Sequence, residues 1–214
     1  MGRIPSIRVT GLMALVIAGC ASLPALDPVV ATPKWPAPGS TWAYEERTSG
    51  SLGSGVRQVP VKALGEQIWQ GQALLAYSEG AVTTYWTAQG ELMAIMQGDK
   101  PLFTYEPSDK LYDWPLQVGK NWMDKGTRTD RARNQTMDFE VDVKVETYEE
   151  VMTPAGSFKA FKIVLASAPL KSQIVNWWSP ELGIVVKHTW DRFPGNQFGE
   201  GHRDRILISQ DIKR

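Results

Sequence analysis

The stretch TMDFEVDVKVETY, residues 136–148, sets Phe139, Val141, Val143 and Val145 in alternation with Asp138, Glu140, Asp142, Lys144 and Glu146. Successive side chains of a strand point to opposite faces, so this period of two describes a strand with one face buried and the other in water. Shorter runs of the same kind occupy residues 41–46, 56–64, 72–79, 82–88, 91–97, 158–167, 172–179, 183–190 and 204–212. Between them lie SGSLGSG (49–55), AQG (88–90), TPAGS (153–157), SPELG (179–183) and FPGNQFGEG (193–201), which supply Gly, Pro or Asn where the chain must reverse. No segment carries a convincing helical period. Short strands joined by short turns specify an all-β domain of antiparallel meanders, expected to fold over on itself as a sandwich or a half-barrel.

The domain also resembles itself. WPAPGSTW (35–42) matches WPLQVGKNW (114–122), setting Trp42 opposite Trp122. VPVKALGEQIWQGQALLAY (59–77) matches residues 141–163, and TYWTAQGELMAI (84–95) matches NWWSPELGIVVK (176–187). An internal two-fold repeat is expected from this order, with units near 35–97 and 114–190.

The N-terminus differs in kind. MGRIPSIR carries two arginines, VTGLMALVIA is apolar, and Ile17-Ala18-Gly19-Cys20 follows. An apolar run of about ten residues is too short to cross a bilayer and has the shape of an export signal. The four residues ending in Cys20 resemble the lipobox of bacterial lipoproteins. That resemblance implies a signal peptide over 1–19, acyl chains on Cys20 and attachment to a membrane; three chains give permanent anchoring, because two membrane signals already suffice. Ala21 rather than Asp after the cysteine implies, within the same family, the outer membrane; its periplasmic face is the expected location. Cys20 is the single cysteine, so no internal disulfide can form. Residues 20–38 hold prolines at 24, 28, 33, 36 and 38 and are expected as an extended tether spanning on the order of 50 Å, with the β domain over 39–214.

A second resemblance lies in the C-terminal half. P-L-x-x-G-x-x-W (115–122), EEVMTPAGSFKAFKI (149–163) and WWSPELGIVVK (177–187) together look like a group of uncharacterised bacterial envelope β-domains, many of them lipoproteins. The resemblance implies an all-β envelope protein and attaches no activity.

The search for chemistry is mostly negative. There is no G-x-S-x-G, no H-E-x-x-H and no glycine-rich phosphate loop leading into a helix. Charge is balanced at 23 basic and 23 acidic residues, and taking away Arg3 and Arg8 with the signal leaves 21 basic against 23 acidic, which gives nucleic acid no basic footprint. His188 and His202 are expected as solvated surface residues, and no metal site or cofactor is expected. The acidic row Asp138, Glu140 and Asp142 is read as a solubilising face rather than a calcium site. Lys125, Arg128, Arg131 and Arg133 are read as a charged outward hairpin, with contact to anionic lipid or cell-wall polymer as the alternative.

Tryptophan is in excess, at nine residues, all beyond Cys20. Trp177 and Trp178 are adjacent and so cannot enter the same face. The repeat aligns them with Tyr85 and Trp86; Trp178 is expected inside, and Trp177 with Tyr85 is expected to line any ligand groove. The function expected is that of a non-enzymatic, membrane-anchored periplasmic module that binds or scaffolds another envelope component. The alternatives are a carrier of lipid or lipoprotein and, from another class, a hydrolase of envelope polymers.

Overall fold

A computed structural model of the chain describes residues 27–214 and, apart from them, Gly2. The rest of the signal segment, the box ending in Cys20 and the tether as far as residue 26 lie outside the described residues.

Twelve strands follow one another: β1 (Thr41–Gly50), β2 (Gly55–Trp69), β3 (Gln72–Glu79), β4 (Val82–Trp86), β5 (Leu92–Gln97), β6 (Lys100–Asp109), β7 (Asn121–Asp130), β8 (Gln135–Thr153), β9 (Gly156–Ser167), β10 (Ser172–Ser179), β11 (Ile184–Arg192) and β12 (Gly201–Asp211). Each pairs antiparallel with its neighbours in sequence, and β1 pairs with β12 from Thr41↔Asp211 to Gly50↔Gly201. The sheet is therefore a closed up-and-down barrel, which corrects the expected sandwich or half-barrel. Closure pairs the two edges that an open sheet would leave as unmatched N–H and C=O rows.

The alternation read from the sequence assigns the two faces. Val59, Val61 and Ala63 of β2 and Val143 and Val145 of β8 are buried, whereas Lys62, Asp142 and Lys144 between or beside them are exposed. Apolar inside and charged outside is the reverse of a membrane-spanning barrel, whose lipid-facing band is apolar.

A barrel of twelve strands encloses more space than the inward side chains of an eight-strand barrel must fill. Two segments supply the difference. Residues 110–120, between β6 and β7, bury Tyr112 and Leu116 against Val143, Val145, Phe161, Ile163 and Trp178. Val30 then bridges Leu116 through a reciprocal pair of backbone hydrogen bonds of 2.9 and 2.8 Å. Trp35 packs its ring on Tyr112, Trp114 and Trp178, and its Nε1 donates to the Ala88 carbonyl at 2.8 Å. Much of residues 30–38, expected as free tether, is thus a strap fastened to the barrel. The strap runs close enough to Gly90 and Gly183, both at positive φ, that a Cβ at either would strike Trp35 or the Lys34 carbonyl.

Candidate functional site: the barrel interior

Inward-facing residues of β1–β4 and β10–β12, together with the strap and Tyr112, enclose a cavity of about 270 Å³. Going along β1, the inward positions are Trp42, Tyr44 and Glu46, so the wall changes from aromatic to charged within one strand. Trp86, Tyr77, Tyr112 and Trp178 extend the aromatic part. Trp42 donates from Nε1 to the Tyr44 hydroxyl at 3.0 Å, and the Tyr44 hydroxyl donates in turn to the Val185 carbonyl at 2.7 Å. Trp86 is similarly held, its Nε1 donating to Thr84 Oγ1 at 2.8 Å. Burial pushes the hydroxyls of Tyr44, Tyr77 and Tyr112 well above the ordinary phenol range, so all three are neutral.

The charged part centres on Glu46, which is 1% exposed. Its Oε1 accepts from Arg57 Nε at 2.7 Å; its Oε2 is bonded by Arg205 and faces Arg203 Nε at 3.4 Å. Burial by itself would raise the Glu46 carboxyl, but Arg205, with Arg57 and Arg203, outweighs it and holds the group below the usual carboxylate range. Arg205 also reaches Glu79 Oε1 at 2.8 Å, so one guanidinium bridges two carboxylates at the cavity wall.

His188 belongs to this interior. Its ring faces Asn176 across the β10–β11 pair, with Nδ1 2.8 Å from Asn176 Oδ1, and it lines the cavity beside Arg205. The solvated surface histidine expected from the sequence is thereby corrected. Burial, followed by repulsion from Arg205 and Arg203, lowers its pKa to about 3, leaving a neutral ring at physiological pH. A carbonyl oxygen facing Nδ1 assigns the proton to Nδ1 and leaves Nε2 a bare acceptor.

Tyr77 Oη, Trp178 Nε1 and His188 Nε2 are buried and have no partner among the described residues, and all three residues line the cavity. An unpaired buried donor or acceptor costs roughly 1–3 kcal/mol. Each is a group whose bonding a ligand or water reaching it would complete.

The adjacent tryptophans divide as alternation requires. Trp178 is 0% exposed and lies on the wall with Asn176 and Ile174. Trp177 sits on the outer face, its ring 4.7 Å from Lys187 Nζ and its Nε1 donating to Glu149 Oε1 at 2.7 Å. Tyr85 packs against Trp69 at 6.2 Å between ring centroids. The cavity is lined by Trp86 and Trp178; neither Tyr85 nor Trp177 reaches it.

The remaining candidates are engaged elsewhere. His202 Nδ1 is 2.7 Å from Asp191 Oδ1 on the surface. Arg128 stacks over Phe103 and Phe198, Arg131 donates to Thr104, Arg133 pairs with Asp130 and Lys125 with Glu140. Among the described residues no group of three or more His, Cys, Asp or Glu is placed to hold a metal ion. Sequence reading overlooked Glu46, Arg205, Tyr77 and Asn176, although alternation puts Glu46 on the face of Trp42 and Tyr44 and Asn176 on that of Trp178.

Residues 107–195 match the family model described as DUF3108-like. No curated protein matches the chain. Among solved structures the chain is similar to a Parabacteroides distasonis protein described as a lipoprotein, at 13% identity over 85% of this chain and 99% of that one, with a TM-score of 0.44. It is similar also to a Bacteroides fragilis protein described as exported and as having a YmcC-like fold, at 12% identity over 85% and 99% of the two chains, with a TM-score of 0.43. The hypothetical lipoprotein YmcC of Escherichia coli shares 12% identity over 83% of this chain and 87% of its own, with a TM-score of 0.41.

Proposed function

We propose that the chain is a non-enzymatic lipoprotein, anchored through Cys20 at the periplasmic face of the outer membrane, whose barrel binds an apolar small molecule in its interior. The observation that carries the reading is the aromatic cavity with three unpartnered polar groups on its wall. A cavity of about 270 Å³ stands just below the range of roughly 300–1,000 Å³ usual for small-molecule sites, so the ligand is a single small amphipath or one end of a lipid. Of the alternatives raised by the sequence, the lipid carrier is the nearer to this geometry.

Anchoring rests on the lipobox alone. Cys20→Ser is expected to abolish labelling by radioactive fatty acid and to release the protein from the membrane fraction; unchanged attachment would sink the anchored reading. Binding is tested on the full chain in detergent with the uncharged fluorophore N-phenylnaphthylamine. One probe per chain, with quenching of tryptophan emission, is expected. Leu75→Trp, which puts an indole in place of an isobutyl group on the cavity wall, is expected to reduce uptake at least about fivefold. No uptake by the wild-type chain would remove the binding reading, and turnover of an envelope polymer by the purified protein would replace it with a hydrolase.

We also read the barrel as two six-strand copies. What supports this is position: Trp42 and Trp122 are the second residues of β1 and β7, Trp86 is the last residue of β4 and Trp178 the last but one of β10, and each of these last two follows a bulge.

A further inference from the structure

The three unpartnered wall groups differ in what they ask of a ligand. Trp178 Nε1 can only donate, so it needs an acceptor. His188 Nε2 is a bare lone pair once Nδ1 donates to Asn176, so it needs a donor. Tyr77 can do either. A hydroxyl is the smallest group that both donates and accepts, and it carries no charge.

Charge on the lining argues the same way. Arg205 and Glu79 are the charged residues that line the cavity; they bond to one another at 2.8 Å, and Arg205 is held by Glu46 as well. A carboxylate entering this wall would meet Glu79 and Glu46 and compete for a guanidinium that two carboxylates already occupy. An ammonium would meet Arg205, with Arg203 close behind it at Glu46. Either ion would lose its hydration with no free counter-charge to replace it. The rest of the wall is aromatic and aliphatic, with its indole and phenol protons on Trp42, Tyr44 and Trp86 already bonded within the protein. A molecule bearing many hydroxyls, such as a free sugar, would leave most of them unmatched.

We infer that the cavity selects an uncharged amphipath with an apolar body and one hydroxyl head, the head bonding to His188 and Trp178 or Tyr77 and the body lying among Trp35, Trp86 and Tyr112. This rests on the interior-binding reading above and narrows it to a ligand class.

The test is displacement of N-phenylnaphthylamine from the full chain in detergent by four eight-carbon compounds: octanol, octyl methyl ether, octanoate and octylammonium. Octanol is expected to displace the probe about 5- to 10-fold better than the other three, the size of one or two hydrogen bonds or of one uncompensated charge. The ether keeps the acceptor and loses the donor, so its deficit reads the bond to His188 Nε2. His188→Phe is expected to bring octanol down to the ether, read as the ratio of the two within that variant so that any change in probe affinity cancels; an octanol advantage that survives in His188→Phe overturns the bond to Nε2. Trp177→Ala, on the outer face and clear of the cavity, is the control for folding; it should retain the probe and keep the advantage of octanol over the ether. Probe uptake without preference for octanol, or with octanoate or octylammonium ahead, overturns the ligand class and leaves interior binding standing. No probe uptake at all overturns both.

Discussion

The two parts of the barrel interior are stabilised by opposite means. Around Trp42, Trp35, Tyr112 and Trp178 the fold rests on aromatic area, with rings meeting at centroid separations of 5.4–6.3 Å and most polar edges tied to nearby carbonyls or hydroxyls. Around Glu46 it rests on a buried carboxylate encircled by guanidiniums. Dispersion and burial are non-directional and tolerate some change of shape. A desolvated ion, by contrast, is stable only while every partner is in place. The aromatic part should therefore lose stability in proportion to the volume removed, and the charged part all at once.

Glu46→Ala puts that contrast to its hardest test. Removing the carboxylate leaves the half-buried Arg205 and Arg203 beside each other without it, and the expected loss is about 3–5 kcal/mol in urea-unfolding stability. A loss under about 1 kcal/mol, the usual size for an ion pair in water, would erase the distinction between the two parts. Trp178→Ala should come next, at about 3–4 kcal/mol from lost burial and the void left behind, with Trp178→Phe recovering most of it. Should Trp178→Phe cost as much as Trp178→Ala, the indole would be held by something other than packing.

Acid should attack the charged part first. His188 has a pKa of about 3 in the fold against an ordinary 6.5, so the unfolded chain takes up a proton that the folded chain refuses. Its contribution to stability is complete above about pH 6.5 and is lost as pH falls toward 3, with a slope approaching roughly 1.4 kcal/mol per pH unit. His188→Gln should flatten the stability profile between about pH 6.5 and 4.5; identical slopes in the two proteins would place His188 in water after all. Smaller again is Gly90→Ala, which strains a positive φ and pushes on Trp35. A cost of about 1–2 kcal/mol with faster proteolysis near residues 30–38 is expected, and an unchanged digestion pattern would mean that the strap does not depend on that contact. Trp177→Ala, on the outer face, should cost about 1 kcal/mol and leave probe binding untouched.

Ten of the twelve strands are legible in the sequence, because alternation over five or more residues is a local property. The two that are not, β6 and β7, show why the signal fails. Pro101 and Pro107 lie within β6 and argue against a strand, yet both fall outside its four-residue pairing with β7, Phe103–Glu106. In β7 the inward side chains include Asp124, which is buried, and Arg128, which stacks on rings. Polar residues facing inward abolish the apolar period, so NWMDKGTRTD reads as a loop. His188 fails for a related reason. The bulge between Trp177 and Trp178 slips the register on β11, so counting from Ile184 does not tell which face His188 takes.

By itself the sequence determined ten of the strands, the turns between them, and the inward turn of Trp178 against the outward turn of Trp177. Whether those strands close, and which of their inward side chains meet, was settled only in three dimensions. Pairing β1 with β12 joins residues some 160 positions apart, such as Glu46 and Arg205. Nothing in either segment records the other, since the attraction between a carboxylate and a guanidinium becomes specific only when the closing sheet has excluded the water that would otherwise screen it.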